Sequence, residues 1–171
     1  MEKIPTLFDR DEAARGRPVT PAFKPECLWV AAGEGVATRK LDGMNVKIAG
    51  GMLHKRQKPA EAVYDEASYI PASRTDPGDR YLFEAFDSAA NWEDGIYEAL
   101  GPKIQGNPEK HERYTLVRVA PIDASLVLED VPRTFEGLRD WLAAHDVEGV
   151  VFHHADGRKA KIKKRDFGLK R

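Results

Sequence analysis

Val147-Glu148-Gly149-Val150-Val151-Phe152-His153-His154-Ala155-Asp156-Gly157-Arg158-Lys159-Ala160-Lys161-Ile162-Lys163-Lys164-Arg165 reads as one antiparallel hairpin. Val147 to His154 is a β-prone run, Ala155-Asp156-Gly157 a turn, and Lys159 to Arg165 the returning strand. Residues two apart on a strand project from the same face, so the ammonium groups of Lys161 and Lys163 can reach one phosphate. The plain alternative is an exposed edge strand guarded by lysines. Glu148 enters an otherwise apolar run, where a carboxylate is placed to hold Mg²⁺; it reads equally well as the last charged residue of the preceding loop.

Working outward, Thr134 is an N-cap for a helix whose stripe is Phe135, Leu138, Trp141 and Leu142. Tyr114 to Val119 and Gly95 to Gly101 read as strands, and Tyr81 to Trp92 as a helix. Asn45 to Ile48 and Met52 to His54 flank Gly50-Gly51, a two-residue loop of the kind that closes hairpins. Leu28-Trp29-Val30 and Val36-Ala37-Thr38 are β-prone runs around a turn at Gly33 to Gly35. Residues 55 to 80 are polar, with Pro59, Pro71 and Pro77, and suggest a functional loop or a short helix. The expected organisation is an irregular lead-in over residues 1–25, rich in proline, and a single domain over 26–171. Short strands with few helices make that domain α+β, built on antiparallel sheets.

The chain of 171 residues suffices for one cored domain, and its 42% hydrophobic and 32% charged residues match a soluble globular protein. No run approaches the roughly 18 to 20 apolar residues of a membrane span. The first residues lack the apolar core of a signal peptide, and a single cysteine, Cys27, cannot form an internal disulfide. A cytoplasmic setting is the expectation. The net charge of −1 hides an asymmetry: Arg158 to Arg171 holds eight bases against one acid, +7, which leaves −8 for the remainder. Such a segment suits an anionic partner, phosphate above all, or is a solvated basic terminus.

Lys40-Leu41-Asp42-Gly43-Met44-Asn45 carries the sharpest chemistry. A lysine at the end of a β-run, followed by Asp-x-Gly, is rigidly held, and the glycine lets a ligand approach the backbone. A lysine amine attacks only when neutral, a form that nearby cations favour, Lys161 and Lys163 among them if they lie near Lys40. Glu98, in Tyr97-Glu98-Ala99-Leu100, lies mid-strand among apolar residues, where an unpaired carboxylate is costly unless it faces solvent. His153 and His154 face opposite ways and read as ordinary strand positions; Cys27 reads as core.

These elements, in this order, resemble the covalent nucleotidyltransferases, the polynucleotide ligases and messenger-RNA capping enzymes. Lys40 to Asn45 looks like their nucleophile motif, Glu98 like the acid of the third motif, Glu148 like that of the fourth, and Lys161 and Lys163 like the lysine pair of the fifth. The stretch from Glu98 to Pro108 is closer to RNA ligases, and Lys161 to Leu169 resembles a small RNA ligase family, first described as a domain of unknown function and found in vertebrates. The resemblance runs from about Trp29 to Leu169. It implies the adenylation-domain fold of antiparallel sheets with flanking helices and no OB domain. It also implies ATP and Mg²⁺, a lysyl-AMP on Lys40, and RNA ends as partners, a 5′-phosphate and a 3′-hydroxyl. By the same resemblance Glu98 binds a ribose hydroxyl, Glu148 helps place the metal, Lys161 and Lys163 stabilise phosphate charge, and Arg56 contacts ribose or donor phosphate. The strand Tyr114 to Val119 offers an aliphatic residue where such ligases often present an aromatic ring to adenine. With no accessory domain following, an accessory protein could hold the RNA. The alternatives are a guanylyltransferase, a DNA ligase, an inactive member of the fold, and a non-catalytic RNA-binding module with salt-sensitive phosphate contacts.

Overall fold

The computed structural model describes residues 4–57 and 68–170. In chain order the elements are β1 (Phe8–Arg10), β2 (Val19–Phe23), α1 (Leu28–Ala31), β3 (Val36–Lys40), β4 (Met44–Ala49), β5 (Met52–Arg56), β6 (Tyr69–Pro71), α2 (Arg80–Phe86), β7 (Gly95–Leu100), β8 (Thr115–Ala120), α3 (Phe135–Ala144), β9 (Gly149–His153) and β10 (Lys159–Lys163). Every pairing between these strands is antiparallel, so the chain is a mixed α+β fold with few helices. Among the described residues no helix is long and apolar enough to cross a membrane.

The chain forms two compact units. One, the split unit, joins Ile4–Leu41 to Ser125–Arg171; the other, the inserted unit, is Asp42–Ala124. In the split unit β3, β9 and β10 form a three-stranded sheet with β9 in the centre. Ala37, Val150, Phe152, Ala160 and Ile162 alternate onto one face and join a core closed by Leu138 and Leu142 of α3 and by Trp29 and Val30 of α1. The Thr134 hydroxyl accepts from the Gly137 N–H at 3.2 Å, so α3 begins at the expected cap. In the inserted unit the sheet order is β6-β5-β4-β7-β8. Val46, Ile48, Leu53, Tyr97, Ala99 and Leu116 on one of its faces bury Leu82 and Ala85 of α2. Gly50 and Gly51, at φ +56° and +73°, close the β4–β5 hairpin in the left-handed conformation that the Gly-Gly pair permits.

Three readings need correction. The N-terminal stretch read as irregular contains the β1–β2 pair, and Leu7 and Phe8 are fully buried. Phe8 sits in an aromatic cluster with Phe23, Phe135 and Phe167, ring centroids 4.6, 5.2 and 6.3 Å away. An isolated apolar pair among prolines has no period to reveal it. Leu28-Trp29-Val30 is helical, not extended: it follows a 3₁₀ turn at Pro25–Cys27, where proline fixes the entry angle, and it leaves Leu28 exposed. The helix expected to run to Trp92 ends at Phe86. In the polar stretch 55–80, β6 and a 3₁₀ turn at Pro77–Asp79 are formed, while 58–67 lie outside the described residues.

Candidate functional site

The cluster in the split unit is set by strand register. On β9, Gly149 lies opposite Lys40 of β3 on one side and Lys163 of β10 on the other. Directly opposed residues of an antiparallel sheet project from the same face, so both lysines stand on the face away from the core, with a glycine between them. No side chain fits there: a Cβ on Gly149 would come within 2.2 Å of the Ile162 carbonyl oxygen. The two ammonium groups can therefore converge, and they do so on Glu148. Lys40 Nζ is 2.5 Å from Oε2, and Lys163 Nζ is 3.2 Å from Oε1.

Glu148 precedes the strand, so the loop reading of this residue holds. Its backbone is tied down because its carbonyl accepts from the Lys164 N–H at 2.9 Å. Lys40 Nζ also donates to its neighbour's carbonyl, Leu41 O, at 3.1 Å. One row further along, Thr38, Val151 and Lys161 are opposed, and beyond them Val36, His153 and Lys159. Lys159, Lys161 and Lys163 thus share the face expected of the pair 161 and 163. Burial holds the Lys159 ammonium below the usual lysine range. Among the described residues Lys40 and Lys163 share the Glu148 carboxylate, and Lys161 stands on the same face.

The basic segment is not a loose tail. Lys159–Lys163 is strand, Lys164–Phe167 is a 3₁₀ turn, and Lys164 is buried. Burial, followed by the charge of Lys159, pushes His153 down to about 4, and its Nε2 lies 2.9 Å from Thr38 Oγ1. His154 pairs instead with Glu34 and Asp156, at 2.6 and 2.8 Å. Cys27 is fully buried, and burial pushes its thiol up to about 11, which suits a core residue rather than a nucleophile.

Glu98 and Arg56 belong to the inserted unit, on the sheet face opposite its core. Arg56 pairs with Tyr69, Asn45 with Glu98, and Glu98 with Val117. The β4–β5 register, with Val46 opposite Lys55, sets Arg56 alongside Asn45. Five side chains from five strands so form one row. Glu98 is neither unpaired nor simply solvated: Oε1 accepts from the Gly43 N–H at 3.2 Å and Oε2 from Asn45 Nδ2 at 3.3 Å. Tyr69 donates its hydroxyl to Asn45 Oδ1 at 2.5 Å. The space beside Gly43 is filled by β7, since a Cβ there would meet the Ala99 carbonyl oxygen at 2.3 Å. This glycine thus lets a neighbouring strand approach closely.

Sequence reasoning gave no role to Tyr69, Asn45 or Gly149. Asn45 stood inside the quoted motif, and Gly149 beside Glu148, so both were in view; Tyr69 lies in a polar stretch with no periodic signal. The site residues divide by unit: Lys40, Glu148, Lys161 and Lys163 in the split unit, Arg56 and Glu98 in the inserted one. No family model matches this chain, and comparison with curated protein sequences gives no significant match.

Proposed function

We propose that the protein is an ATP-dependent RNA ligase whose Lys40 takes AMP from ATP as a covalent lysyl adduct, on the adenylation-domain fold that its motifs resemble. The observation that carries this reading is the convergence of Lys40 and Lys163 on Glu148 across the gap at Gly149, with Lys161 on the same face. A primary amine fixed at a strand end among cations is what transfer of a nucleotidyl group to lysine requires.

The neutral Lys40 amine attacks the α-phosphorus; a P–N bond forms, the bond to the bridging oxygen breaks, and pyrophosphate leaves, while the proton lost from the nitrogen passes to pyrophosphate or water. The amine must first be without its extra proton, and among the described residues the carboxylate in contact with it is Glu148, 2.5 Å away. Lys163 and Lys161 balance the charge that develops on the phosphate oxygens. AMP then passes to an RNA 5′-phosphate, and the 3′-hydroxyl of a second end displaces it.

Mg²⁺ fits this donor set in a limited way. Glu148 is a single carboxylate with both oxygens bonded to ammonium groups, and among the described residues no three His, Cys, Asp or Glu side chains form a metal cage. That suits an ion arriving with the nucleotide, which keeps much of its water and takes one carboxylate, Glu148. Once bound, it would neutralise phosphate charge. The ribose role of Glu98 and the phosphate role of Arg56 rest on the resemblance; the bonds from Gly43 and Asn45 aim the Glu98 carboxylate, and Val117 is the apolar neighbour that the β8 strand offers a base.

Incubation with α-³²P-ATP and Mg²⁺, followed by a denaturing gel, tests the reading. Protein shown by mass to carry no AMP is expected to take label, to lose it in Lys40→Ala, and to label weakly with GTP. Stronger labelling with GTP turns the reading to a guanylyltransferase. No band from folded protein overturns it in favour of an RNA-binding module.

A further inference from the structure

The outer edge of β10 is occupied by the N-terminal segment. The Lys161 N–H donates to Pro5 O at 2.9 Å, Leu7 N–H donates to Lys161 O at 2.8 Å, and Thr6 lies parallel to Lys161. Two residues on, the chain has turned away into β1, and the Lys163 N–H would lack a strand partner. Asp166 supplies one. From the 3₁₀ turn after β10 its Oδ2 reaches back and accepts from that N–H at 2.9 Å, while Oδ1 takes the Arg10 guanidinium at 2.5 Å. Asp166 is only 3% exposed, and the mechanism above makes no use of it. Arg10 is itself held, donating to the Arg17 carbonyl at 2.7 Å. A carboxylate can accept on both oxygens at once, and here each oxygen joins a different part of the chain.

We infer that Arg10 and Asp166 are positioning residues for Lys163: they fix the backbone from which its ammonium reaches Glu148. The inference rests on the ligase reading and adds to it that the N-terminal strand belongs to the catalytic scaffold. A lysine free to shift by about an ångström still offers charge, but loses much of its transition-state effect.

Asp166→Asn leaves one acceptor where two donors must be met, so either Lys163 or Arg10 loses its bond. The rate of labelling at saturating ATP is expected to fall about 10- to 100-fold, with half-saturating ATP little changed. Arg10→Ala should act in the same direction, and Arg10→Lys should restore part of the loss. In a Lys163→Ala background, Asp166→Asn should cost nothing further, because the residue it positions is gone. Rates are taken per folded molecule, with thermal melting run on each variant, so that simple loss of fold does not count as support. Independent multiplying effects, or a normal rate in folded Asp166→Asn or Arg10→Ala, overturn the positioning role and leave the ligase reading standing. Failure of the wild-type protein to label overturns both.

Discussion

Gly149 shows how one missing side chain can organise a charge cluster. Alanine there would press its Cβ to within 2.2 Å of Ile162 O and 2.9 Å of Lys163 Cα, both backbone atoms that cannot rotate away. The β9–β10 pair would have to part, so Gly149→Ala should lower stability by about 1 to 3 kcal/mol. It should also slow labelling with ATP, measured alongside the melting temperature. A variant as stable and as fast as wild type would show that the close approach has no consequence. At Lys40 the expectation is stricter. Lys40→Ala and Lys40→Arg should both fold and take no label, because the guanidinium is a permanent cation and cannot act as a neutral amine. Label retained by Lys40→Arg would move the nucleophile elsewhere.

At the level of elements, legibility followed periodicity. The β4–β5 and β9–β10 hairpins and α3 were readable because turn residues and alternating or helical spacing agreed. The pairing of Lys161 with Lys163 was readable for the same reason, since it needs only the strand period. What could not be read needed long-range register: the opposition of Lys40 and Lys163 across Gly149, or Tyr69 reaching Asn45 from another strand. The N-terminal strands failed as a reading because Phe8 packs against Phe135 and Phe167, far along the chain. One element permits a control for the experiments above. Thr134→Ala removes the cap of α3, away from the lysine cluster, and should cost about 1 kcal/mol. Urea unfolding should report that loss while labelling per folded molecule stays unchanged; a matching fall in rate would tie α3 to the chemistry.

For the whole molecule, His153 sets a direction for the response to acid. Its folded-state value is pushed down to about 4 from an ordinary 6.5, chiefly by burial. The unfolded chain therefore takes up a proton first, and stability present above pH 6.5 is lost as the pH falls towards about 4. His154, raised by hydrogen bonds to Glu34 and Asp156, has the opposite sign: its stabilisation holds below pH 6.5 and is lost as the pH rises through its raised value. The shift of His153 is the larger of the two, so it should prevail. Urea unfolding of His153→Gln should show a flatter fall in stability between pH 7 and pH 5 than wild type. An unchanged slope would assign the acid response to other groups.

The division of the chain at Leu41 and Asp42, and again at Ala124 and Ser125, has a consequence for the newborn protein. Synthesis runs from the N-terminus, so the whole inserted unit leaves the ribosome while β3 still waits for β9, over a hundred residues later. Through that interval Lys40 is already made, but its carboxylate and its companion lysines do not yet exist. The lysine cluster forms only once the β9–β10 hairpin has been made, so a ribosome stalled before residue 148 holds Lys40 without Glu148, Lys161 or Lys163 beside it.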